Sequence, residues 1–314
     1  MNGIELSEKF YLEYGKKIIC EELREWEDWI AVGIAGRGSE CFGYDDETSR
    51  DHDYEPGFTI WIPQSLNQQA FSAISRAYSS LPREFMGVRM QSGSRLGGTH
   101  FGVQTIEEFF SSLIGSASPP NSWEQWFYTP EHALASAVNG KIFRDNLGEM
   151  TAFRDMLLFG MPEDVRRKKI SARLALMAQS GQYNYSRCLA HGEPAAAGLA
   201  LSEFVTHSLF AIFAINRHYT PFYKWRFRAL RELPLWAELE KSLAYLLMHG
   251  SNESDNSSKT EEQVELICSK ILLAVQQEGL STLSDSFLEP HAFAVAETIT
   301  NPKIRALHIM DCGE

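Results

Sequence analysis

The sequence has little that would staple it, span a membrane or coat it in one charge. Its five cysteines, Cys20, Cys41, Cys188, Cys268 and Cys312, are odd in number and scattered. No two form a CxxC metal or redox motif, so they read as reduced thiols. No run approaches the roughly 18 consecutive apolar residues of a membrane span. The first seventeen residues carry Glu5, Glu8 and Glu13 and no apolar core of signal-peptide length, so a cytoplasmic location is expected. Positive charge is in short supply: 29 Lys and Arg stand against 41 Asp and Glu, a net charge of −12. A dedicated nucleic-acid binder would show a basic surface, so that partner is not expected. Internal repeats are also missing. What remains is 314 residues, 44% hydrophobic and 12% aromatic. That is ample for a core and suggests two domains, which excludes a disordered or fibrous chain.

Residues 7–29 have helical spacing of Phe10, Tyr11, Tyr14, Ile18 and Ile19, with Ser7 as the expected N-cap. Ile30 to Ile34 reads as a strand entering a glycine turn, and Phe58 to Ile62 as a second strand ended by Pro63. Residues 65–80 return to helical periodicity. A third strand is expected over Phe101 to Ile106 and a helix over Glu107 to Ile114. After the linker Ser116 to Ser122 nearly everything reads as helix, with a polar loop at Ser251 to Lys259. The expected fold is therefore α+β: a mixed sheet with flanking helices over 1–118, then an all-helical bundle over 119–314.

The segment richest in chemistry runs from Gly36 to Phe58, GRGSECFGYDDETSRDHDYEPGF. Gly38 and Ser39 follow a strand directly, where close backbone approach, N–H groups and a hydroxyl can hold phosphate oxygens. Asp51 and Asp53 precede the next strand, and alternate residues of an extended chain share a face. Two carboxylates so placed suit Mg²⁺ when nucleotide phosphates supply its other ligands. The competing reading is a solvated acidic loop, since Asp45, Asp46, Glu47 and Glu55 lie in the same stretch. An EF-hand is excluded by spacing, and a zinc site through His52 has no second His or Cys nearby.

The order of strand, Gly-Ser, twelve residues, then Asp-x-Asp resembles the signature of the nucleotidyltransferase superfamily that includes DNA polymerase β and the antibiotic adenylyltransferases. The longer string GSECFGYDDETSRDHD resembles a bacterial family within it, domain of unknown function 4037. So do the stretches Val138 to Asp145, Gly181 to Arg187 and Asn216 to Trp225, so that the resemblance extends over about residues 30 to 310. It implies a nucleoside triphosphate and Mg²⁺ at the sheet edge, with Gly38 and Ser39 on the triphosphate and Asp51 and Asp53 on the metal. Many superfamily members add a third carboxylate on a later strand. Here that position falls on Gln104, an amide, with Glu107 and Glu108 following.

The helical part supplies further candidates. Lys224, among Tyr219, Phe222, Tyr223 and Trp225, either reaches the triphosphate or packs its stem on aromatic rings. Arg187 and Asn184 either line the cleft or pair two helices. Glu203, with His207 one turn on, is either a structural acid or the missing general base. The expected activity is Mg²⁺-dependent transfer of a nucleotidyl group, AMP from ATP, to a hydroxyl of a small molecule. The alternatives are a nucleotide sensor without turnover and a transferase acting on a protein or RNA.

Overall fold

In the computed structural model, residues 1–46, 54–90, 101–249 and 257–313 are described. Asp51 and Asp53, and most of the loop expected over Ser251 to Lys259, lie outside the described residues. The chain is α+β and divides into two compact units. One comprises residues 1–120 and 133–160, the other residues 121–132 and 161–314.

The first unit is built on a four-stranded mixed sheet. Its strands are β1 (Ala31–Ile34), β2 (Thr59–Ile62), β5 (Gly102–Thr105) and β6 (Lys141–Asp145), in the order β5-β2-β1-β6. A separate small hairpin pairs β3 (Glu84–Phe85) with β4 (Val88–Arg89). β1 runs antiparallel to β2, with Gly33 opposite Thr59, and antiparallel to β6. β2 and β5 are parallel, with Trp61 opposite Gln104. Alternation along β1 and β2 gives the sheet two apolar faces. Val32, Ile60 and Ile62 share a cluster with Leu6 and Phe10 of α1 (Gly3–Phe10), Ile19 of α2 (Lys16–Glu21) and Ile74 of α3 (Gln68–Ser79). Trp61, one residue out of step, meets Phe109 of α4 (Ile106–Ile114) edge-on. Phe110 of α4 stacks on Phe153 of α7 (Glu149–Phe159) at 3.5 Å.

Two expectations change here. The helix expected from residue 7 starts at Gly3, because Asn2 caps it. The Asn2 side chain accepts from the Glu5 N–H and the Glu5 carboxylate accepts from the Asn2 N–H, a capping box. Ser7 lies buried inside the helix, and a π turn at Tyr11–Gly15 then interrupts it. The second concerns the segment after the expected linker. Residues 133–160 group with the sheet because Lys141–Asp145, expected within a helical region, forms the edge strand β6. Helix α6 (Glu131–Val138) crosses the division.

The second unit is helical. It contains α5 (Trp123–Tyr128), α8 (Glu163–Met177), α9 (Tyr185–Ala190), α10 (Pro194–Ile215) and α11 (Arg226–Leu230). It continues with α12 (Glu240–His249), α13 (Ser257–Gln277), α14 (Leu288–Glu297) and the short α15 (Pro302–Arg305). By length and composition α10 could cross a membrane. Most of it is buried among the other helices, with Phe204, Leu209 and Ile212 in the same core as Leu174, Leu243, Ile271 and Val295. Helix α8 carries an unusual interior: Arg166, Lys168, Lys169 and Arg173 are all at most 5% exposed.

Candidate functional site

The loop after β1 turns on two glycines and closes in a short 3₁₀ turn at Glu40–Phe42. The Ser39 carbonyl accepts from the N–H of Phe42 at 3.2 Å and of Tyr44 at 2.8 Å, which fixes the exit of the loop. Gly38 has φ +137°, and a Cβ there would sit 2.2 Å from Glu40 Oε1. Only glycine fits that conformation and that approach. Ser39 and Glu40 are buried, and the Cys41 thiol donates to Glu40 Oε1 at 3.5 Å. Among the described residues, the backbone N–H groups of Gly38 and Ser39 donate to no acceptor. Adjacent backbone N–H groups bind anions where they converge on one point.

The entrance of the loop is pinned from 103 residues away. The Gly36 N–H donates to Asn139 Oδ1 at 2.9 Å, and Asn139 Nδ2 donates to the Gly36 carbonyl at 2.7 Å. Arg154 of α7 donates to the carbonyls of Asn139 at 2.7 Å and Val138 at 2.8 Å. Burial lowers the Arg154 pKa to about 10, which leaves it charged at neutral pH. Gly140 follows in a left-handed conformation, φ +73°, where a Cβ would stand 1.9 Å from the Ile34 carbonyl oxygen. The Asn-Gly dipeptide is a turn signal in the sequence. Nothing in the sequence pointed to its partner at Gly36.

The other candidates are placed as follows. Gln104 lies on β5 beside Trp61, and β5 itself contains no carboxylate. Glu107 accepts from the Gln64 N–H at 3.1 Å, and Glu108 and Thr105 cap α4 reciprocally. At the far end of the sheet, burial and then the charges of Glu107 and Asp145 raise the pKa of Glu149. Among the described residues no group of three or more His, Cys, Asp or Glu could hold a metal ion. A metal reading therefore rests on Asp51 and Asp53, whose hard oxygen donors suit Mg²⁺.

Lys224 and Arg187 belong to the helical unit. Both are exposed, Lys224 with its ammonium 4.6 Å from the Trp225 ring and Arg187 with its guanidinium 4.9 Å from Tyr183. Asn184 ends the π segment Ala178–Asn184. Glu203 and His207 join a chain with Arg173. Arg173 Nη1 lies 3.0 Å from His207 Nδ1 and can only donate, so Nδ1 accepts and the ring proton sits on Nε2, facing Glu203 at 3.3 Å. Burial, and then the Arg173 charge, push the His207 pKa down to about 4. Glu203 would push the other way, but its side chain is 67% exposed and water screens it.

Residues 126–226 match the family described as Domain of unknown function (DUF4037). That span includes Asn139, Arg154, Arg187 and Lys224 but not the Gly38 loop. No curated protein matches the chain. Among solved structures, the chain is similar to a "nucleotidyltransferase-like protein from Exiguobacterium sibiricum 255-15", with 12% identity and a TM-score of 0.36, over 92% of this chain and 80% of that one.

Proposed function

We propose that the sheet unit binds a nucleoside triphosphate and that the protein transfers a nucleotidyl group, AMP from ATP, to a hydroxyl of a small molecule. The observation that carries this reading is the loop after β1. Gly38 and Ser39 present unpaired N–H groups there, and β2, the strand that follows Asp51-x-Asp53 in the chain, begins beside the end of β1. Gly38 and Ser39 hold phosphate oxygens, while Asp51 and Asp53 are the metal ligands. Bound Mg²⁺ supplies charge neutralisation at the triphosphate. The acceptor oxygen forms a bond to the α-phosphorus, the bond to the bridging oxygen of pyrophosphate breaks, and the acceptor proton passes to a base.

A second reading, a sensor that binds nucleotide without turnover, is favoured by the amide at Gln104 and by the engagement of Glu107 and Glu108 in backbone bonds. Incubation with Mg²⁺, cell extract and each NTP labelled at the α-phosphorus separates the two. The transferase reading expects label from ATP on an acid-soluble acceptor, lost on Asp51→Asn/Asp53→Asn. Bound but untransferred label would favour the sensor. No binding of any NTP would remove both.

A further inference from the structure

We infer that Asn139 is a positioning residue for the Gly36 to Ser39 loop, setting which backbone N–H groups a polyphosphate meets. The inference rests on the nucleotide-binding reading above. The side-chain amide of Asn139 engages both polar atoms of Gly36, at 2.9 and 2.7 Å. That pairing fixes the Gly36 peptide plane and occupies its N–H, so among the described residues the donors the loop leaves to a ligand are those of Arg37, Gly38 and Ser39. Asn139 is itself held. Arg154 bonds its carbonyl, and Gly140 packs on the Ile34 carbonyl at the end of β1. Loop and amide are thus tied to both neighbouring strands of the sheet, β1 and β6.

The pairing is also selective in its chemistry. One side chain must accept at Oδ1 and donate at Nδ2 at the same time, which the planar Asn amide does and an alanine or an ionised aspartate does not, and Gln is one methylene longer. A loop held this way is preorganised, so a bound polyphosphate does not have to bear the ordering cost of the backbone.

The test compares native protein with Asn139→Ala and Asn139→Asp by two readouts, amide hydrogen exchange over residues 35–40 and calorimetric titration with Mg·ATP and with Mg·tripolyphosphate. Asn139→Ala should speed exchange in the loop and weaken both ligands by at least about tenfold, the scale of two lost hydrogen bonds. Asn139→Asp, which can still accept from Gly36 but not donate, should fall between. The titrations are run well below the melting temperatures, where a purely structural loss would leave affinity unchanged. Should Asn139→Ala not fold, the near-isosteric Asn139→Asp carries both readouts. Unchanged loop exchange in a folded variant, or a loosened loop with native affinity, would overturn the inference. If native protein binds neither ligand, the nucleotide reading fails and takes the ligand half of the inference with it, whereas the exchange data alone still decide whether Asn139 holds the loop.

Discussion

The two units bury polar chemistry in different ways. In the sheet unit, the contact that pins the Gly36 loop is between neutral groups, an amide pairing a peptide, and the buried cation behind it, Arg154, is spent on backbone carbonyls rather than on a carboxylate. In the helical unit, α8 carries four cations into the interior and satisfies each differently. Arg166 bonds Glu163 and Glu278. Lys168 donates to the carbonyls of His308, Ile309 and Asp311, and burial lowers its pKa to about 8. Lys169 faces Glu131 at 3.5 Å and the Phe127 ring, and Arg173 stacks on Phe210. Buried charge fixes partners strictly because removing one partner leaves the other uncompensated. The helical unit therefore uses charge to specify its architecture, while the loop of the sheet unit leaves the Gly38 and Ser39 N–H groups without an acceptor among the described residues.

Breaking each device should hurt its own unit. The largest effect is expected from Arg166→Ala, about 3–5 kcal/mol, because Glu163 and Glu278 lose their shared guanidinium. Urea unfolding would measure it, and faster amide exchange in α8 and α10 would place it. Next comes acidification. His207 has a depressed pKa, so its contribution is complete above its unfolded value near 6.5 and is lost as the pH falls toward about 4. Native protein should lose about 3 kcal/mol relative to His207→Gln between pH 7 and pH 4, read from paired denaturation curves. A gap that stays constant with pH would mean the histidine is not held neutral.

The sheet unit gives a matching break. Gly140→Ala should cost about 2–4 kcal/mol, since a left-handed alanine is strained and its Cβ collides with the Ile34 carbonyl. Its exchange signature should appear in β1, β6 and the loop between Ile34 and Ser39. The smallest expected effect is Thr105→Ala, about 1 kcal/mol from loss of the α4 cap, in the same unfolding assay.

The same contrast explains what could be read from sequence. Strands β1 and β2 announce themselves as short apolar runs buried on both faces, α10 as a long apolar stretch in the core, and helices α3, α4 and α13 by helical period, with one face of each buried. β6 does not: KIFRD is five residues long, charged at both ends and only partly buried, as suits an edge strand. Its capture into the sheet depends on pairing with β1, a contact more than a hundred residues away in sequence. The turn at Gly38 was legible, because glycines after a strand signal one, whereas its role with a ligand is a proposal. Asn139 and Arg154 were not, since a lone Asn-Gly names a turn and not the peptide it pins. Glu203 and His207 carried both a structural and a catalytic reading in the sequence, and the Arg173 contact shows how the histidine is held.

Calorimetric titration of ATP with and without Mg²⁺, on native protein and on Asp51→Asn/Asp53→Asn, tests the central reading most directly. If Gly38 and Ser39 hold a triphosphate whose charge is shared with a metal on the two aspartates, Mg²⁺ should tighten ATP binding to the native protein by about 1–3 kcal/mol, and the double variant should lose that coupling while remaining folded. Equal ATP affinity in all four titrations would contradict the account and leave Gly36 to Phe58 as a solvated acidic loop.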